Sequence, residues 1–375
     1  MGRQGVPIGK ILGIPISLDY TWFAIFALVT WSLAGSYYPA EYKNWSLSLY
    51  WLTGAATALM LFVSVLLHEL GHSVVALRYG IPVRSITLYI FGGVARIEAE
   101  PPSPAAEFFI AIAGPAVSLA LAVAFHEMQP LAAASEPMSG LLKYLAYINS
   151  ALVAFNLVPG YPLDGGRVFR AIVWAATKDM RRATLVAANA GRFFALTLIF
   201  LGVWQIFSGN AGGGLWIAFI GWFLDIAASA QLHQIIYRDL LAGHKVSLAM
   251  NPEHATVSGD LSVQALVDEH IFRSGRRYFL VERGGDAVGL ITLGRIKDVP
   301  RDRWSITRVA DVMLPLEQST RIAADSELWS ALEKMDRSGV NQLPVTSGNR
   351  IVGMLSREDV ITFLRTLQEL GARPA

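Results

Sequence analysis

The sequence predicts a polytopic α-helical membrane protein of about six transmembrane helices with a short β-hairpin insertion, followed by a soluble α/β module built from two similar units. Three observations predict it. Hydrophobic residues make up 53% of the 375 residues and charged residues only 16%, with a mean hydropathy of +0.43, well short of the charge a soluble domain carries. The charge is uneven: residues 1–240 hold 26 of the 60 Asp, Glu, Lys and Arg, and residues 241–375 hold the other 34. The later part also repeats itself. The chain therefore reads as a membrane domain over 1–240 and a soluble pair over 241–375, with units at about 247–300 and 308–366.

Six segments approach the ~20 apolar residues a bilayer needs: roughly 16–37, 52–77, 104–127, 139–158, 184–207 and 214–236. The run at the N-terminus has no small-residue cleavage site after it and reads as a retained helix. Arg3, Lys10, Arg78, Arg84, Arg96, Arg167, Arg170, Lys178, Arg181, Arg182 and Arg238 fall on one side of this arrangement, and little beyond Lys43 and Lys143 falls on the other. By the positive-inside rule both termini, and the soluble module with them, are expected in the cytoplasm. Arg192 and Asp225 either pair across the last helical hairpin or reach out to the interface, a structural role in both cases.

The loop "SITLYIFGGVARIEAE" (85–100) carries β-branched and aromatic residues around Gly92-Gly93 and reads as a hairpin between two membrane helices. It is either an ordinary connector or a strand edge able to pair with an extended peptide. In the soluble part, "AVGLITLGRIKDV" (287–299) resembles "IVGMLSREDVITF" (351–363) at an offset of 64, and "LAMNP" (248–252) is echoed by "DVMLP" (311–315). Neither copy buries enough surface alone, so the two are expected to stack.

No cysteine is present. That excludes a disulfide framework and leaves His, Asp and Glu to hold any metal. With a net charge of +2 and no basic tract, nothing points to nucleic acid. The chemistry concentrates in "LFVSVLLHELGHSVVALRYG" (61–80). His68 and His72 are four apart, so on a helix they face the same way one turn apart and can bind one metal ion. Glu69 beside them is placed as general base. Ionisable residues inside an apolar segment are costly and suggest function; a histidine pair bonded to neighbouring helices is the structural alternative. A catalytic zinc takes three protein ligands. His126 lies at the far end of its helix, and Asp164 in "NLVPGYPLDGGR" (156–167) is the best third ligand, with helix capping as its alternative role. Pro159 and Pro162 break the helix before it, and Gly165-Gly166 leave the backbone free to turn the carboxylate inward. His233, His244, His254 and His270 have no assigned role.

"HELGH" on one membrane helix and "NLVPGYPLDGG" near a later one resemble the site-2 protease family of intramembrane zinc metalloproteases. The resemblance covers about residues 1–240. It implies one Zn²⁺ per chain, held by His68, His72 and Asp164, with Glu69 as base and Asn156 holding substrate or the developing oxyanion. "GPAVS" (114–118) also looks familial, Gly114 and Ala116 suiting close helix packing. The substrates implied are membrane-tethered regulators such as anti-sigma factors or transcription factor precursors, in a prokaryotic cell membrane among its lipids. The tandem units resemble a pair of CBS domains, a module that often binds ATP, ADP or AMP and often forms homodimers. Its Ser/Thr-x-x-Asp pattern matches Ser356 and Asp359; the first copy has Thr292 but Arg295 in place of Asp. A nucleotide-regulated metal-ion transporter and an inactive client-binding relative are the competing readings.

Overall fold

A computed structural model of the protein describes residues 5–90, 92–253, 255–348 and 350–370. Arg3 and His254 lie outside the described residues. The chain divides into two compact units, 1–233 and 234–375.

The first unit opens with an antiparallel hairpin, β1 (Val6–Ile11) and β2 (Ile14–Leu18). Leu12 and Gly13 turn the chain there with φ of 51° and 81°. Asp19 then accepts from Thr21 N to start α1 (Tyr20–Ser32), which continues through a π-helical turn at Leu33–Tyr37 into α2 (Tyr38–Glu41). This corrects the first expected span. Residues 16–18 are strand, and the helix starts only at Tyr20. In β2 Ile14, Ile16 and Leu18 are buried in alternation, a two-residue period too short to stand out beside the apolar run of α1.

Helix α3 (Leu47–Arg78) starts at Ser46, whose side chain accepts from Leu49 N. The expected hairpin follows as β3 (Val83–Tyr89) and β4 (Gly92–Ile97). It does not stand alone: β2 pairs in parallel with β3, matching Ile16 to Ile86, so the sheet runs β1-β2-β3-β4. Ile14 and Ile86 pack on Leu70 of α3, which seats the sheet on that helix. Then come α4 (Pro104–Met128), α5 (Glu136–Asn156), α6 (Asp164–Thr177), α7 (Met180–Phe207) and α8 (Ala211–Leu241). Among the described residues, α3, α4, α5, α7 and α8 are long and apolar enough to cross a membrane.

Small residues set the helix crossings, as expected where lipid removes the hydrophobic drive between helices. A methyl group on Gly71 of α3 would sit 2.9 Å from Ala113 O of α4. One on Gly202 of α7 would sit 2.5 Å from Ala218 N of α8. Arg192 Nε donates to Asp225 Oδ1 (3.1 Å) between the same two helices. Some polar groups in the bundle pair in series: Tyr38 OH donates to Thr57 Oγ1 (2.7 Å), which donates to Thr53 O (2.7 Å).

The second unit follows the 64-residue repeat strand by strand. After α9 (Val246–Ala249) the first copy has β5 (Thr256–Ser258), α10 (Val263–Ala265), α11 (Phe272–Ser274), β6 (Tyr278–Arg283), β7 (Asp286–Thr292) and α12 (Leu293–Lys297). After α13 (Val309–Val312) and β8 (Leu314–Pro315), the second has β9 (Ile322–Ala323), α14 (Leu328–Ser338), β10 (Gln342–Ser347), β11 (Arg350–Ser356) and α15 (Arg357–Glu369). The strands β6 and β10 share one burial pattern, as do β7 and β11. Leu280 and Leu290 of the first copy pack with Met354 of the second, so the copies stack as expected. The segment preceding each copy pairs with the other copy's sheet. Asn251 pairs with Met354 of β11, and β8 pairs with Gly289 and Leu290 of β7.

The α7–α8 contact is testable. Gly202→Val should cost about 1–3 kcal/mol through overpacking and lower the melting temperature in detergent, whereas Gly212→Ala, with open space around it, should leave it unchanged.

Candidate metal centre

The centre is assembled from three helices. α3 carries His68, Glu69 and His72 in mid-helix, where both histidines are buried. Their ring centroids are 4.9 Å apart. One face of α4 turns both rings. His72 Nδ1 donates to Ile110 O (2.7 Å), and His68 Nδ1 pairs with Ser118 Oγ (2.9 Å). With Nδ1 engaged, each ring offers its Nε2 lone pair to the space between them.

Asp164, the first residue of α6, brings its carboxylate into that space. Its Oδ2 lies 3.1 Å from His68 Nε2 and 3.3 Å from His72 Nε2, and the two Nε2 atoms are 3.2 Å apart. Three donor atoms of the kinds zinc prefers thus converge on one point. Gly114 supplies a second sign of fit. A methyl group there would land on both Nε2 atoms, so the absence of a side chain in α4 keeps the point open. The residues present therefore fit a zinc ion in the two-His, one-carboxylate class.

The "LDGG" turn works differently from expectation. Gly165 and Gly166 are already in the first turn of α6. A methyl on Gly165 would collide with the Leu157 and Val158 carbonyls, and one on Gly166 with Gly160. Close approach of α6 to the preceding loop, rather than freedom to turn, accounts for both glycines. In "GPAVS" the structure corrects Ala116, which lies on the exposed face of α4. Gly114 and Ser118 do the packing there.

Glu69 points to the sheet. Ala95 N of β4 donates to its Oε2 (3.2 Å), and a methyl on Gly93 would stand 2.5 Å from its Cγ. Asn156 ends α5. Together with His68, Glu69, His72 and Asp164 it lines a cavity of about 630 Å³. Leu152 and Phe155 of α5 and Trp216, Phe219 and Phe223 of α8 give the cavity an apolar lining. Strand β4 contributes Gly92 to Ala95 along one side.

Sequence reasoning missed several participants. Arg167 and Arg170, counted as loop charges, belong to α6. Arg167 lines the cavity. Arg170 is buried and paired with the fully buried Glu107 of α4. Glu107 was detectable as a carboxylate in an apolar segment; the orienting groups Ile110 O and Ser118 Oγ carry no such mark. His126 is exposed in the last turn of α4, away from the centre. In the second unit, Ser356 and Asp359 engage each other. Ser356 N and Oγ donate to Asp359 Oδ2 (2.8 and 2.7 Å), and Asp359 N donates back to Ser356 Oγ (3.2 Å), a capping box that starts α15. Thr292 caps α12 by accepting from Arg295 N (3.5 Å).

The model of peptidase family M50 matches residues 56–129 and 126–199, and the CBS domain model matches residues 309–366. A relative in Mycobacterium tuberculosis, named zinc metalloprotease Rip3, is 39% identical over 369 residues, covering 96% of this chain and 93% of the relative. A zinc metalloprotease of Synechocystis, sll0528, is 32% identical over 367 residues, covering 97% of this chain and 96% of its own length. Among solved structures, the site-2 protease from Methanocaldococcus jannaschii is 29% identical, with a TM-score of 0.42, covering 60% of this chain and 94% of that one. Because the likeness to the Mycobacterium protein runs through both the helical part and the repeat, the chain belongs to peptidase family M50, the site-2-protease-like zinc metalloproteases, in a form that carries a C-terminal CBS module.

Proposed function

We propose that this membrane metalloprotease cleaves peptide bonds in or next to transmembrane segments of membrane-tethered regulatory proteins, with residues 1–240 as the protease domain and the module at 241–375 as its cytoplasmic regulator. The observation that carries this reading is the meeting of His68 Nε2, His72 Nε2 and Asp164 Oδ2 at the edge of a cavity that Glu69 also lines. A zinc ion held by those three atoms would supply a Lewis acid for the scissile carbonyl and acidify a water molecule. Glu69 accepts the proton from the attacking water and returns it to the departing amide nitrogen. Its hydrogen bond from Ala95 N holds the carboxylate toward the cavity. Asn156 would donate its amide to the carbonyl oxygen as charge develops there.

A helical substrate shields its carbonyls and must open before it can be cut. Strand β4 is the edge of its sheet and runs along the cavity. An opened substrate segment could extend that sheet, while the aromatic wall from α8 receives its apolar side chains. The positive-inside asymmetry supports cytoplasmic termini. We further propose that ATP, ADP or AMP binds the CBS pair and alters substrate access.

Metal content, proteolysis, transport and thermal stability test this. Protein purified in detergent should hold about one zinc per chain. Asp164→Ala should lose it, and Glu69→Gln should keep it while kcat falls at least ~100-fold. Full zinc in Asp164→Ala would remove the third ligand from the reading. Proteolysis surviving in Glu69→Gln would remove the base, and transport without proteolysis in the wild type would favour the transporter. For the regulator, millimolar ATP, ADP or AMP should raise the melting temperature of the full chain, less so in Asp359→Ala. No shift with any of the three would leave the CBS pair a structural module.

A further inference from the structure

The triad depends on Asp164 arriving at the right place from a separate helix. Asp164 is the first residue of α6 and follows a loop, so its backbone is not held by a helical turn on its N-terminal side. Something must tie the start of α6 to the elements that carry the histidines.

Arg170 touches both sides of that problem. Its guanidinium pairs with Glu107 of α4, Nε donating to Oε1 at 2.6 Å. It also lies 5.5 Å from the ring centre of Tyr161, in the loop just before Asp164. Glu107 is fully buried and Arg170 is 8% exposed, so water screens the pair little. On α4, Glu107 shares a face with Ile110, Gly114 and Ser118, at helical spacings of three, four and four. That face turns His72 through Ile110 O, clears both Nε2 atoms at Gly114 and turns His68 through Ser118. One helix face thus sets both histidines and, through the buried pair, the helix that brings the aspartate.

We propose that Arg170 is a positioning residue for Asp164: locked to Glu107 and spanning the loop at Tyr161, it fixes the first turn of α6 so that the carboxylate meets both imidazoles. The proposal rests on the reading of the triad as a zinc site. Burying a charged pair is weak evidence of stability, since apolar replacements are often tolerated or better. A pair kept at this place is better explained by the geometry it enforces.

The test uses full-length protein in detergent and reads zinc affinity by chelator competition beside the melting temperature. Arg170→Lys keeps the charge but loses the planar fork and the face lying on Tyr161. It should weaken zinc binding by about 10- to 100-fold. With cobalt(II) in place of zinc, its visible spectrum should move toward that of Asp164→Ala. Glu107→Gln/Arg170→Met leaves no buried charge, and it is the variant to read if Arg170→Lys does not fold. Its affinity should fall as far as that of Arg170→Lys and no further, because the two residues act as one unit. Leu145→Ala, in the buried cluster of α5, should lower the melting temperature while keeping wild-type affinity. Wild-type zinc affinity in a folded Arg170→Lys or in the double variant overturns the proposal, as does an equal loss in Leu145→Ala. Wild-type protein that binds no zinc at all would instead overturn the zinc-site reading itself.

Discussion

Two imidazoles one helical turn apart can share an ion only when both rings turn their free nitrogens to the same point. Nothing within α3 enforces that. In this protein the enforcement comes from α4, whose Ile110 carbonyl and Ser118 hydroxyl hold the Nδ1 atoms, and it works only because α4 comes very close. Gly71 on one side and Gly114 on the other make that approach. The glycine, the carbonyl and the hydroxyl are unremarkable as residue types, yet the centre has no geometry without them. Other polar groups in the bundle, such as Tyr38, Thr57 and Ser64, also find partners inside the protein, as a bilayer interior without water favours.

The sheet answers a second demand. If the cavity receives an opened substrate segment, as proposed, that extended backbone needs hydrogen-bond partners. On the proposed reading β4 would supply them beside Glu69, whose carboxylate accepts from Ala95 N, so the proposed base and the edge strand belong to one arrangement. Gly93 is the joint, since any side chain there would displace the glutamate. The N-terminal hairpin belongs to the same arrangement, because β2 pairs with β3 on the side away from β4 and leaves β1 as the sheet's other edge.

How much of this the sequence discloses depends on how far apart the interacting residues lie. His68, Glu69 and His72 are legible because their relation is one helical turn, and Asp164 is legible by elimination once zinc needs a third ligand. The repeat is legible because the offset of 64 separates β6 from β10 as well as β7 from β11. The pairing of Glu107 with Arg170 spans 63 positions and joins two segments with no shared pattern, so each looks like an isolated charge. The N-terminal strands escape for a different reason: the apolar positions of β2 run directly into those of α1, and hydropathy cannot divide them. The Ser356–Asp359 relation shows the converse hazard. A short motif that suits a ligand also suits a helix start, and here the two side chains satisfy each other.

The reciprocal pairing in the second unit has a consequence for how that part of the chain comes apart. Asn251 completes the sheet of the later copy, while Leu314 and Pro315 complete the sheet of the earlier one. Neither copy is therefore a bead that can be clipped off the string. A break near residue 305 would hand each fragment a strip of backbone that belongs to the other, and the two pieces would have to find each other again to become whole. Such a pairing makes the two copies one cooperative structure rather than two separable ones.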